Sequence, residues 1–157
     1  MTIKVLTIGK TDGKALQQLI SDYEKRLGHY VKFNLEILPD IKNSKNLTEI
    51  QQKDKEGELL LKKLNPTDVL VLFDENGKTY TSVEFSKFLQ KKMNSGIKQL
   101  VLAIGGPYGF SDSVYQKAQS KLSLSKMTFS HQMVRLFIVE QLYRAFTIMR
   151  NEPYHHQ

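Results

Sequence analysis

The chain has 157 residues, 40% hydrophobic and 25% charged, which is the make-up of one globular domain with a real core and not of a disordered or fibrous chain. It contains no cysteine, which excludes a disulfide framework, a thiolate metal site, an iron–sulfur cluster and a thiol nucleophile. Its 23 Lys and Arg against 16 Asp and Glu leave a formal charge of +7, a balance that favours a polyanionic partner, nucleic acid first.

In chain order, Ile3 to Ile8 is a short β-branched run that predicts a strand, closed by Gly9 and Asp12-Gly13. Leu16, Leu19, Ile20, Tyr23 and Leu27 then recur at helical spacing, so Ala15 to Leu27 predicts a helix. Phe33, Leu35 and Ile37 alternate with polar residues until Pro39, a second strand, and Leu47 to Leu64 predicts a long charged helix ended by Asn65-Pro66. The run Asp68 to Phe73, apolar from Val69 onward, suits a strand covered on both faces, with Asn76-Gly77 expected to turn the chain. Thr81 and Glu84 form a capping box that opens a helix through Phe85, Phe88, Leu89 and Met93 to Gly96. Leu100 to Ile104 is a further buried strand, followed by the turn Gly105-Gly106-Pro107-Tyr108-Gly109 and a short helix from Ser111 to about Ser120. Leu122 to Leu124 predicts a last brief strand and His131 to Arg150 a helix of about five turns, stopped by Asn151 and Pro153.

Alternating strands and helices argue an α/β fold, a mostly parallel sheet covered by helices on both faces, in a single domain over 1–157. Lys4 interrupts the apolar start, and runs such as Val69 to Phe73 fall far short of the about 20 residues a bilayer needs, so the expectation is a cytoplasmic protein with no membrane partner. The last helix carries apolar residues all round, Met133, Val134, Leu136, Phe137, Ile138, Val139, Leu142 and Phe146 among them. One domain face does not need so many, which implies a homodimer.

The charge is unevenly made. Three of the four arginines, Arg135, Arg144 and Arg150, and three of the four histidines, His131, His155 and His156, lie beyond Ser113, where only Glu140 and Glu152 oppose them. Arginine suits phosphate and base edges better than lysine, so the polyanion contact is expected in this part. His131 and Arg135 share a helix face, as do Glu140 and Arg144, and either pair could equally be a plain surface contact.

Two stretches could carry chemistry. Gly105 to Gly109 follows an apolar strand at the end where α/β sheets bind ligands, though any glycine-rich turn has the same composition. Leu122 to Phe129 mixes apolar residues with hydroxyls and could cup an aromatic ring, or be an ordinary loop in which Thr128 or Ser130 caps the next helix. Neither a Walker sequence nor a dinucleotide fingerprint is present, and four scattered histidines make no metal site.

Together, Asp54-Lys55-Glu56-Gly57-Glu58, Ile104 to Gly109, Leu122 to Phe129, His131 to Arg135, Glu140 to Phe146 and Pro153-Tyr154-His155 resemble, in order and spacing, the bacterial large-subunit ribosomal RNA methyltransferase H family of the SPOUT class. The resemblance implies a SPOUT-type α/β knot, with a deep trefoil in the carboxyl-terminal part. It implies S-adenosylmethionine as cofactor and methylation of N3 of a pseudouridine in 23S rRNA on the assembled ribosome, by a homodimer. Carried over, Leu72, Gly105, Gly106, Leu124, Ser125, Lys126, Met127, Thr128 and Phe129 are the expected cofactor contacts. His131, Arg135, Arg144, Tyr154 and His155 are the expected catalytic or substrate-contacting set. Ser130 departs from a proline common there, which predicts a looser cofactor loop, and His156 stands where a fixed positive charge is usual. The competing readings are a non-catalytic RNA- or ribosome-binding protein on the same fold and a small nucleotide-binding enzyme.

Overall fold

Apolar runs that have no polar face must be covered twice, and the chain builds its layers to do so. The computed structural model describes residues 1–156, with strands β1 (Thr2–Ile8), β2 (Lys32–Leu38), β3 (Val69–Thr79), β4 (Gln99–Ile104) and β5 (Ser120–Ser123) and helices α1 (Lys14–Leu27), α2 (Glu49–Leu61), α3 (Ser82–Asn94), α4 (Asp112–Lys117) and α5 (His131–Met149). The strands form one parallel sheet in the order β2-β1-β4-β3-β5.

The pleat sorts the core. Ile3, Val5, Val69, Val71, Leu100, Leu102 and Ile104 face one side with Ile20, Leu27, Phe85, Leu89, Ile138, Leu142 and Phe146 from α1, α3 and α5. The intervening residues Leu6, Ile8, Leu70, Leu72, Val101 and Ala103 face the other side with Leu60, Phe110 and Val114 from α2, α4 and the loop before α4. Period-2 side chains thus feed both layers, as expected of a doubly covered sheet.

Helix ends follow their caps. Thr48 with Gln51 and Thr81 with Glu84 make reciprocal capping boxes on α2 and α3. The Ser130 hydroxyl accepts from the Met133 backbone N–H and starts α5, so the departure from proline supplies a conventional N-cap. At the other end Asn151 adopts φ 53°, and the Glu152 N–H donates to the Thr147 carbonyl at 2.9 Å. This left-handed cap reverses the chain and sends Tyr154 back along α5.

Three boundaries differ from the sequence reading. Asn76-Gly77 does not end β3: Phe73 and Lys78 both pair with Leu122, so Asp74 to Gly77 bow out and the strand resumes to Thr79. Gly77 permits this because a Cβ there would lie 2.4 Å from the Leu122 carbonyl carbon. The short α4 stops at Lys117, and β5 begins at Ser120 because Ser120 to Ser123 pair with β3. The long charged helix is Glu49–Leu61, its start set by the Thr48 capping box and its end capped at Lys62.

Candidate active site

The carboxyl ends of β3, β4 and β5 open onto a cleft of about 460 Å³, a size that holds a cofactor-sized ligand. Its walls are the bowed Phe73 to Asn76, the loop Gly105 to Phe110, and Ser123 to Phe129, with His131 and Val134 of α5 at the back. A smaller apolar recess of about 260 Å³ adjoins it across Phe73, Leu124, Ser125 and Phe129.

The walls owe their shape to backbone more than to side chains. Gly109 sits at φ 81° and its N–H donates to the Gly106 carbonyl at 3.1 Å, folding the loop on itself. A Cβ on Gly105 would press the Phe110 ring at 3.3 Å, and one on Gly106 would lie 2.6 Å from a Glu56 carboxyl oxygen. On the facing loop the Ser123 hydroxyl donates to the Ser125 carbonyl at 2.8 Å and the Ser125 hydroxyl accepts from the Met127 N–H at 3.0 Å. Asp74 anchors the rim, accepting from the Asn76 N–H at 2.8 Å and from the Tyr115 hydroxyl. Burial, and then this bond, push the Tyr115 phenol up to about 12.

Of the expected cofactor contacts, Gly105, Gly106, Leu124, Ser125, Met127, Thr128 and Phe129 line the cleft. Lys126 is exposed and does not line it. Leu72 is fully buried in the layer of α2 and α4, so its side chain faces away and only its main chain is near the cleft-lining Phe73.

The expected catalytic set divides. His131 lines the cleft. Arg135 is completely buried and points elsewhere: its guanidinium donates to the carbonyls of Ile8 and Gly9 at 2.7 and 2.8 Å and to the Thr11 hydroxyl at 3.0 Å. It ties α5 to the end of β1, and burial draws its pKa below the usual arginine value. Arg144, Tyr154 and His155 do come together, but some 13 residues along α5 from His131, about 20 Å at the helical rise.

Glu140 is the hub of this second cluster. Its Oε1 accepts from Arg144 Nε at 3.0 Å and Nη2 at 2.6 Å and from the Tyr154 hydroxyl at 3.0 Å. Arg144 also donates to His155 Nδ1 at 3.3 Å and lies 4.7 Å over the Tyr154 ring, while the Tyr23 hydroxyl bonds that of Tyr154 at 3.2 Å. Burial first, and then the Tyr23 and Glu140 bonds, push the Tyr154 phenol well up, so it stays protonated. The Glu140 bond raises the Arg144 pKa in turn.

A family model described as predicted SPOUT methyltransferase matches residues 1–155. The chain belongs to the SPOUT methyltransferase family. Proteins named ribosomal RNA large subunit methyltransferase H from Flavobacterium johnsoniae and Flavobacterium psychrophilum are each 71% identical to it over the full length of both chains. One of that name from Porphyromonas gingivalis is 52% identical, again end to end. Among solved structures, a probable methyltransferase from Bordetella pertussis superposes with a TM-score of 0.58 at 7% identity, covering 92% of this chain and 93% of the other. A probable methylase family protein from Haemophilus influenzae gives 0.51 at 12% identity, covering 99% and 70%. At those identities the two structures speak to the fold alone.

For a SPOUT chain the sequence reading missed the acidic rim of Asp74 and Glu75, the Tyr115 that holds it, and Glu140 as the centre of the tail cluster. Only Glu140 left a signal, its spacing of four from Arg144. Among the described residues no group of His, Asp or Glu is placed to hold a metal ion, and no helix is long and apolar enough to cross a membrane.

Proposed function

We propose that this chain is an S-adenosylmethionine-dependent ribosomal RNA methyltransferase that methylates N3 of a pseudouridine in 23S rRNA of the assembled ribosome, in the cytoplasm and as a homodimer. The observation that carries it is the cleft at the ends of β3, β4 and β5, walled by two loops that resemble the family's cofactor loops and lie on a chain 71% identical to proteins named for that activity. The cleft suits the cofactor on its own terms. Gly105 and Gly106 form a wall of bare main chain, packed so closely that a Cβ would press Phe110 or Glu56. Phe73, Met127 and Phe129 offer apolar surface to an adenine, and Asp74 and Glu75 put negative charge at the rim. Gly105, Gly106, Leu124, Ser125, Met127, Thr128 and Phe129 would hold it, with Leu72 contributing main chain. Bound there, S-adenosylmethionine supplies an electrophilic methyl group on a sulfonium centre.

The residues of the chain then have three tasks: to align the target nitrogen in line with that methyl, to keep water out, and to favour the anionic form of the nitrogen. Phe129 and Met127, exposed at the cleft mouth, cover it once RNA is present. Arg144, Tyr154 and His155 have the charge and proton-bearing groups for the RNA and its reacting nitrogen, but in one chain they lie about 20 Å from His131. A second copy reconciles the two ends by laying its tail beside this cleft. The exposed Leu19 of α1 and Met133 of α5 provide apolar surface for such pairing. Arg135 acts by positioning the first strand. The return of α5 from edge strand β5 to pack on central β4 is compatible with the family's trefoil knot, which we include in the proposal.

Ribosomes from cells lacking the enzyme, treated with this protein and labelled cofactor, should take label into one pseudouridine of 23S rRNA. Label in transfer RNA or protein, or no transfer at all, would reject the assignment. Mixed dimers of one cofactor-dead and one tail-truncated subunit should recover activity only if cleft and tail act across the interface. A non-catalytic RNA-binding role is disfavoured, since a binder has no use for an intact cofactor cleft.

A further inference from the structure

The segment Asp54 to Glu58 takes no part in the cleft wall, yet it places one side chain directly behind it. Gly57 lets α2 approach the start of α4, where a Cβ would lie 2.3 Å from the Ser111 hydroxyl oxygen. That close approach sets Glu56 beneath the glycine loop, 5% exposed. Its Oε1 accepts from Gln52 Nε2 at 3.0 Å. Its Oε2 is buried, has no hydrogen-bond partner among the described residues, and is the atom a Gly106 Cβ would meet at 2.6 Å. No cation stands within ion-pair distance of it among the described residues. The charged or titratable groups that face it are Asp40 from the segment after β2, His131 from the start of α5, and Lys53 of α2, which lines the same small recess. Burial raises its pKa and Asp40 adds to the rise, while the Gln52 bond and His131 oppose it.

A buried carboxyl with one oxygen unanswered by the protein is costly, and such groups concentrate where a ligand brings the missing charge. On the far side of Gly106 lies the cleft. Because Gly106 has no side chain, only main chain separates the free oxygen from whatever the cleft holds.

We propose that Glu56 is the buried counter-charge for a cationic ligand of the cleft, a specificity-determining residue that favours the positively charged sulfonium cofactor over its neutral thioether product. The inference rests on the S-adenosylmethionine reading above. Both ligands share the adenosine and amino-acid parts and differ in charge at sulfur, so Glu56 acts on the difference between them. Loss of the methyl removes the attraction, which favours exchange of spent cofactor for fresh. The sign with pH follows from linkage. A cation stabilises ionised Glu56, so binding lowers its pKa and releases protons. The preference is weak where Glu56 is protonated, grows as pH rises through its titration, and then levels.

The test is calorimetric titration of the protein with S-adenosylmethionine and with S-adenosylhomocysteine at a series of pH values running upward from the ordinary carboxyl range. The wild type should gain about tenfold in preference for the sulfonium, equivalent to about 1.4 kcal/mol, and should release protons on binding it, read from buffers of different ionisation enthalpy. Glu56→Gln should stay at the low-pH preference throughout and release none, while His131→Gln keeps the rise. A wild-type preference that does not move with pH overturns the proposal without any variant. So does a Glu56→Gln protein that weakens both ligands equally and keeps the rise, or a rise lost only in His131→Gln. Binding of neither ligand by the wild type would instead reject the cofactor reading on which the inference stands.

Discussion

The two ends of α5 are built on opposite plans. At its amino end the cleft is shaped largely by main chain and glycines, with apolar Phe73, Met127 and Phe129 in its walls, Asp74 and Glu75 at the rim and His131 at the back. At its carboxyl end Glu140, Arg144, Tyr154 and His155 form a network of charged and hydroxyl side chains that reaches Tyr23 of α1. A cofactor that is always the same molecule is suited by a fixed, shape-defined backbone site. A polyanion that must be gripped and released is suited by side chains with charge. On the function proposed above, one helix separates cofactor recognition from substrate chemistry.

That separation can be broken at either end. Gly106→Ala should have the largest effect: the new Cβ collides with Glu56 Oε2, and cofactor affinity measured by calorimetry should fall by at least about 100-fold while the circular dichroism spectrum is kept. Arg144→Ala should lower single-turnover methyl transfer by about 100-fold with cofactor affinity changed less than about twofold, because it disrupts only the tail network. Loss of cofactor binding in that variant would show that the two ends are not independent.

Arg135→Met probes the helix between them. It strips the partner from two buried carbonyls and a hydroxyl, so urea unfolding should show a loss of about 3–5 kcal/mol. Smaller effects sharpen the cleft end. Ser130→Ala should cost about 1 kcal/mol by removing the N-cap. Ser130→Pro should be within about 0.5 kcal/mol of neutral, since φ −60° already suits proline and restricting the unfolded chain offsets the lost cap. The smallest effect is at high pH. Tyr115 holds its proton more tightly folded than unfolded, so its contribution is complete below about pH 10 and is lost as pH rises through about 12. Tyr115→Phe should flatten that alkaline limb of the stability curve.

The sequence made the layers legible because strand burial and helix amphipathicity are local patterns. Val69 to Phe73 and Leu100 to Ile104 announce covered strands by having no polar face, and Thr81 with Glu84 announces a helix start. The two loops stood out by their glycine and serine content, and of the nine cofactor contacts that the resemblance implied, seven line the cleft. What stayed hidden depends on partners far away in the chain. Asn76-Gly77 has turn composition, but pairing of Lys78 and Thr79 with β5 draws it into a strand. Arg135 shares a helix face with His131, which suggests substrate contact, whereas its hydrogen-bond partners lie 124 to 127 positions earlier.

That last contact bears on how the chain is made. The carbonyls of Ile8 and Gly9 are made 127 and 126 positions before Arg135, whose guanidinium in α5 answers them. No nascent chain short of α5 can close the end of β1. The cleft, whose back wall is His131 and Val134 of that same helix, is therefore completed only once α5 has been made, so chains that terminate before it lack that wall.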